Sequence, residues 1–213
     1  MKNRCIIFLG MAGSGKGTQS ARLSEHFLYQ SLSTGDLLRQ AINDNGQSNV
    51  EIKHIIESGQ LVPDPIVLQL VADSMIESSN DKFILDGFPR NIAQAKLLSE
   101  LIQKMNVELD HVILFDLSLD ASIKRISGRR ICSKCSEIYH VDYKVPKHKN
   151  QCDRCGSSLI QRKDDSEDTV KKRYEVYLKN TLPLQEFYHS KLKKINANLD
   201  PEAVYQQIVE IVQ

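Results

Sequence analysis

The 213-residue chain is 41% hydrophobic and 26% charged, ordinary values for a globular protein long enough for one or two domains and a sizeable core. Lys and Arg number 28 against 27 Asp and Glu, a formal net charge of +1, which argues against a whole-chain nucleic-acid or membrane-surface role but not against a local basic patch. Trp is absent and aromatics are 6%, so base-stacking platforms are disfavoured.

The chain begins with Lys2 and Arg4 ahead of the apolar run Cys5–Leu9. That run is far shorter than the roughly 18 residues a spanning helix needs. No Ala-x-Ala-like cleavage site follows it, so a cytoplasmic chain is expected. In a reducing compartment the five cysteines point to metal or core roles, with Cys5 a core residue.

Cys5–Leu9 reads as a buried parallel strand ending in glycine, and residues 16–27 as the following helix, with Ala21, Leu23 and Phe27 apolar. Residues 33–62 read as helical and polar. Phe83–Leu85 and Val112–Leu117 are further buried strands, and Asp120–Ser127 a helix with Ile123 and Ile126 on one face. Residues 128–165 hold four cysteines, few aliphatics and many basic residues. Leu192–Ile195 is a candidate last strand, and Asp200-Pro201 caps a helix running to about Val212. The alternation predicts an α/β fold with a parallel sheet flanked by helices. The expected core is residues 1–32, 63–127 and 166–213, with insertions at 33–62 and 128–165.

Between the first strand and first helix lies Gly10-Met-Ala-Gly13-Ser14-Gly15-Lys16-Gly17-Thr18. Glycines let the backbone wrap phosphate oxygens, the helix N-terminus adds partial positive charge, and Lys16 adds a full one. Strand and helix context makes this a specific phosphate-loop signal. Gly17 stands where such loops commonly carry a Mg²⁺-binding hydroxyl, and Thr18 comes one later.

This GxxGxGKGT form resembles the nucleoside monophosphate kinases, the adenylate kinase family in particular, and further segments match in order. The resemblance implies a P-loop fold with a small monophosphate-binding insertion and a mobile lid. It implies donor ATP on Gly13, Ser14, Gly15, Lys16, Gly17, Thr18, Arg125, Arg129, Ile138, Tyr139 and Leu199. It implies acceptor AMP on Thr34, Arg39, Gln60, Leu61, Val62, Gly87, Phe88, Pro89, Arg90, Gln94, Arg162 and Arg173. Asp86, after a strand, would order Mg²⁺ waters, and Asp164 and Asp165 would pair with lid arginines or cap the helix beginning near Ser166. Asn196-Ala197 replaces the family's usual Asp-Gly, which weakens the carry-over to Leu199.

The chemistry is coherent without the family. Phosphoryl transfer needs positioning and charge neutralisation, and guanidinium forks suit phosphoryl oxygens. Arg125 and Arg129, four apart, would share one face of a helix.

Cys132-x₂-Cys135 and Cys152-x₂-Cys155 are two knuckles sixteen residues apart, the spacing of a tetrahedral Cys₄ zinc site; redox pairs are the other reading. Such a Zn²⁺ is structural, since four thiolates leave no open position. Residues 128–163 hold nine Lys or Arg against three acids, a formal excess of +6 before the metal, suited to covering a triphosphate. His140 and His148 are expected on the lid surface. The expected activity is reversible, Mg²⁺-dependent ATP + AMP to two ADP by a monomer acting on neither nucleic acid nor membrane. The alternatives are a UMP/CMP kinase and, from another class, a nucleotide-gated zinc-ribbon RNA-binding module.

Overall fold

The structure is a computed structural model and describes residues 3–44 and 50–213. Its core strands are β1 (Asn3–Gly10), β2 (Gln30–Ser33), β3 (Lys82–Asp86), β4 (Val107–Asp116) and, last in the chain, β8 (Leu192–Asn196). They pair in parallel in the order β2-β3-β1-β4-β8. Between them run the helices α1 (Lys16–Phe27), α2 (Thr34–Asp44), α3 (Val50–Glu57), α4 (Asp64–Ile76), α5 (Ile92–Lys104) and α6 (Leu119–Ser127). After α6 come β5 (Arg129–Cys132), β6 (Ile138–His140) and β7 (Leu159–Ile160), a small antiparallel sheet in the order β6-β5-β7. A 3₁₀ turn (Lys163–Asp165), α7 (Glu167–Val176), a π-type turn (Tyr177–Thr181) and α8 (Leu184–Phe187) return the chain to the sheet, and α9 (Pro201–Val212) closes it.

The sheet is buried on both faces, as the continuous apolar runs of β1, β3 and β4 require. Alternation along β1 divides the core. Cys5, Ile7 and Leu9 pack with Val71, Leu98 and Leu114 on one side, and Ile6 and Phe8 with Leu23, Tyr205 and Ile208 on the other. Among the described residues no helix is long and apolar enough to cross a membrane.

The structure extends and corrects the sequence reading. β4 starts at Val107, earlier than its apolar run suggests, because Val107–Leu109 pair with Asn3–Cys5 before a register shift at Cys5/Ile6. β2 escapes a pattern search since Gln-Ser-Leu-Ser buries only Leu32. The helical pairing of Arg125 with Arg129 fails, because α6 stops at Ser127 and Arg129 opens β5. His140 is buried rather than on the lid surface. Its Nδ1 accepts from the Asp142 N–H at 3.0 Å, and its ring stacks on Tyr143 with centroids 4.3 Å apart.

Candidate functional site

The phosphate loop closes the C-terminal end of β1, where parallel sheets open a crevice for ligands. Gly13 and Gly15 have φ of 75° and 93°, the left-handed region that only glycine adopts without strain. A Cβ on Gly10 would meet the Phe115 carbonyl oxygen at 2.9 Å, so close approach to β4 also requires glycine. Gly15 caps α1, and Lys16 opens it. Beyond its chain neighbours nothing lies within 4 Å of a Cβ placed on Gly15, and Gly17 in the first turn adds no side chain of its own, beside leading N–H groups that have no partner within the helix. Lys16 arches back over the loop: its Nζ donates to the Gly10 and Met11 carbonyls at 2.9 and 3.0 Å and lies 3.3 Å from Ser14 Oγ. Thr18 is exposed in the first turn of α1.

Asp86 ends β3 beside β1, in register with Phe8, so the sheet sets it next to the loop. Its Oδ2 lies 3.6 Å from where a Gly17 Cβ would be. Burial raises its pKa against the pull of Lys16 and Arg90. Burial likewise pushes Lys16 down to about 8; Asp86 opposes this, and Arg90, Arg129 and Arg173 add to it. Five of the expected residues thus share one field: Lys16, Asp86, Arg90, Arg129 and Arg173. Gly87 to Arg90 turn away from β3 through a cis Phe88–Pro89 bond, and Arg90 Nε donates to the Gly87 carbonyl at 2.8 Å. Phe88 and Pro89 are buried there.

The arginines are held by acids. Arg129 makes a two-pronged contact with Asp165, whose side chain is fully buried, and Arg173 contacts Asp164. Burial would raise Asp164, but Arg173, with Arg39 and Arg162, outweighs it and holds the carboxyl low. Capping falls to Ser166, whose Oγ accepts from the Thr169 N–H, so both aspartates make ion pairs instead; Asp165 pairs with Arg129 of the 128–165 insertion as expected, but the partner of Asp164 is Arg173 on α7, outside it. Arg162 is pushed down to about 10 by burial and by Arg39 and Arg129.

A residue that the sequence reading did not single out joins two of the expected ones. Asp36 Oδ1 accepts from Arg39 Nη2 at 2.7 Å and from Arg162 Nη2 at 3.2 Å. Its spacing of three from Arg39 on α2 was a readable signal; its link to Arg162 was not, since 126 positions separate them.

Among the residues expected on the acceptor, Thr34 is buried and its Oγ1 donates to the Gly87 carbonyl at 2.9 Å. Gln94 is buried; its Oε1 accepts from the Arg90 N–H at 2.7 Å, and its Nε2 donates to Asp64 at 2.8 Å. Asp64 is a second residue the sequence reading passed over. Gly59 turns the chain into Gln60-Leu61-Val62, and its α-carbon packs where a Cβ would meet Arg173 Cγ at 3.2 Å. Val62 is buried and Gln60 exposed.

Arg125 stands apart from the arginine cluster. Its Nη2 donates to the Leu199 carbonyl at 3.3 Å, in the loop after β8. Asn196 and Asn198 tie that loop to itself, and Asn198 reaches Ser118 Oγ at 3.4 Å and the Asp116 carbonyl. Ala197 is buried, its N–H donating to the same carbonyl at 2.9 Å. In the lid, Ile138 Cδ1 lies 3.7 Å from a Cβ on Gly17, so it faces the phosphate loop. Tyr139, the next residue, faces the opposite way, into the cysteines.

The four thiols converge. Cys132–Cys155, Cys135–Cys155 and Cys135–Cys152 Sγ separations are 3.4, 3.5 and 3.6 Å, and all four sulfurs lie within 4.8 Å of one another. Four thiolates about 2.3 Å from a tetrahedral Zn²⁺ stand roughly 3.8 Å apart, so the donor set fits that ion. Cys132 and Cys152 are buried with Tyr139 and Leu159, Cys135 packs against that cluster, and Cys155 is exposed.

A model of the family described as adenylate kinase matches residues 8–193. An adenylate kinase of Thermosipho africanus is 41% identical over 211 residues, covering 98% of this chain and 99% of that protein. One of Archaeoglobus fulgidus is also 41% identical, over 98% and 97%, and one of Bacillus licheniformis 40%, over 97% of each. With the phosphate loop, the parallel sheet and similarity along nearly its whole length in agreement, the chain belongs to the adenylate kinase family.

Proposed function

We propose that this chain transfers the terminal phosphoryl group of ATP to AMP, reversibly, giving two ADP. The observation that carries this reading is the convergence of Lys16, Arg90, Arg129, Arg162 and Arg173 on the crevice beside the phosphate loop, in a chain of this family. In this reading the loop N–H groups and Lys16 hold the donor phosphates. Arg39 and Arg90 grip the acceptor phosphate, and Arg129, Arg162 and Arg173 spread over the transferring group, where charge is distributed on three oxygens. Thr34, Gln60–Val62, Gly87–Pro89 and Gln94 line the acceptor side, while Arg125, Ile138 and the Leu199 backbone line the donor base side; Tyr139, expected there too, is turned away from it into the cysteines.

The carboxylate of Asp86 faces the loop, which suits Mg²⁺ held through water and nucleotide oxygens. When bound, Mg²⁺ neutralises charge on the donor phosphates. Asp164 and Asp165 keep two arginines aimed inward. The core comprises 1–32, 63–127 and 166–213, the monophosphate-binding segment 33–62 and the lid 128–165. The Cys₄ set of the lid holds a structural Zn²⁺, supported by sulfur spacings that fit the ion. Lid closure over both nucleotides excludes water, so the acceptor phosphate makes the attack rather than hydrolysis occurring. The protein acts as a cytoplasmic monomer, without nucleic acid or membrane partners.

The test is a coupled assay of purified protein with ATP and each of AMP, UMP and CMP, with zinc quantified on the same sample. AMP-dependent formation of two ADP per turnover and one zinc per chain are expected. Preference for UMP or CMP would replace AMP as acceptor, and well-folded protein that does not interconvert the adenine nucleotides would overturn the reading.

A further inference from the structure

Among the described residues, the hydroxyl of the buried tyrosine of β6 makes its polar contacts in the cysteine knuckle. Tyr139 Oη lies 3.5 Å from Cys152 Sγ and accepts from the Asp153 backbone N–H at 2.8 Å. Tyr139 and Cys152 are each 2% exposed. The Asp153 bond fixes the direction of the other. An N–H engages the oxygen lone pair, so the phenolic proton is directed at the sulfur, and a metal-bound thiolate can only accept.

A Zn(Cys)₄ unit carries a formal charge of −2, and two of its four sulfurs here, Cys132 and Cys152, are on buried residues. Such charge is expensive to bury without donors. The Lys134 and Cys135 N–H groups serve Cys132 Sγ at 3.4 Å each. Tyr139 supplies a side-chain O–H to Cys152. Its ring also carries Lys144 Nζ at 5.3 Å, and Lys144 pairs with Glu137. The phenol is therefore held from both ends, by the knuckle backbone at its hydroxyl and by Lys144 at its face.

We infer that Tyr139 is an outer-shell positioning residue of the lid metal centre, its hydroxyl donating to metal-bound Cys152. Through the strand's alternation it also fixes β6 with Ile138 toward the phosphate loop. This rests on the zinc reading above. Partners of this kind orient a ligand and moderate its charge, and their loss typically costs about 10–100-fold in metal affinity.

The experiment compares wild type with Tyr139→Phe, which keeps the ring and removes only the hydroxyl, and with Tyr139→Ala, which removes both. Zinc-loaded full chains are titrated with a chromophoric chelator, and Co²⁺-substituted chains are examined for the thiolate-to-cobalt charge-transfer band. The expected result is at least tenfold weaker zinc retention in Tyr139→Phe, with the cobalt band moved to longer wavelength, since a thiolate stripped of a donor gives up charge more easily. Zinc retention and cobalt spectra identical to wild type in Tyr139→Phe, with a defect only in Tyr139→Ala, would assign the tyrosine to ring packing and overturn the inference. Wild type that takes up neither zinc nor cobalt would instead overturn the Cys₄ reading beneath it.

Discussion

Arg162 Nη2 lies 3.2 Å from Asp36 Oδ1, joining the end of the lid to the helix that opens the monophosphate-binding segment. The same oxygen accepts from Arg39, so one carboxylate occupies two guanidinium groups expected on the acceptor phosphate. Burial would raise Asp36, yet Arg39, Arg162 and a hydrogen bond from Ser33 together outweigh it and hold the carboxyl below its usual range. Asp36→Asn removes a competing anion from both forks. The side chain is half exposed, so the change alters folding stability by less than about 1 kcal/mol. The KM for AMP is expected to fall severalfold with kcat within about twofold. Steady-state kinetics with varied AMP check this, and a raised KM would mean that Asp36 aligns the arginines instead.

Lys16 makes the donor step sensitive to pH. With its pKa at about 8 in the free enzyme rather than the ordinary 10.5, it loses its proton as pH rises through 8, and the charged form is the one that grips phosphate. The ratio kcat/KM for ATP, which reports the free enzyme, is expected to fall above about pH 8, approaching tenfold per pH unit. Bound phosphates raise the lysine again, so kcat holds to higher pH. Linkage gives the accompanying sign for folding. Between 8 and 10.5 the unfolded chain binds more protons than the folded one, so this group makes ligand-free stability rise with pH in that window. A pH profile with ATP varied at saturating AMP, and urea melts of the free protein, read the two effects.

Asp165 has no exposed side-chain surface, and it serves Arg129. Deleting one partner of such a pair leaves an uncompensated buried charge, at about 3–5 kcal/mol. Asp165→Ala is therefore expected to lower Tm by roughly 10 °C for a chain of this size. Arg129→Met combined with Asp165→Leu should lose less than the single change, since neither charge remains. Thermal melts of the three variants decide it.

Gly128 is required by space rather than by its backbone angle. Its φ of −82° suits any residue, but a Cβ there would collide with Nε2 and Cε1 of His140. Gly128→Ala is expected to cost about 1–3 kcal/mol, as overpacking does. His140→Ala in the same chain should return much of that loss by opening the site. Unfolding midpoints of the single and double variants measure the coupling.

Local chemistry wrote much of this protein into its sequence. The glycine spacing around Lys16 specified an anion loop because only glycine tolerates those φ angles beneath a helix start. The paired knuckles specified a four-sulfur cluster because each Cys-x₂-Cys supplies half a tetrahedron. The continuous apolar runs at Cys5–Leu9 and Val112–Phe115 specified buried parallel strands.

What the folded chain alone decided was who meets whom across long separations. Nothing local in Gln-Ser-Leu-Ser marks an edge strand; β3 supplies its pairing. Nothing in Tyr139 chooses between nucleotide and metal until the pleat turns Ile138 to the loop and the tyrosine to Cys152. The partners of Asp36, Asp164 and Asp165 are likewise matters of tertiary placement. Periodicity records which face a residue takes, but Coulomb attraction and desolvation act between neighbours in space, and those neighbours exist only once the sheet and lid have closed.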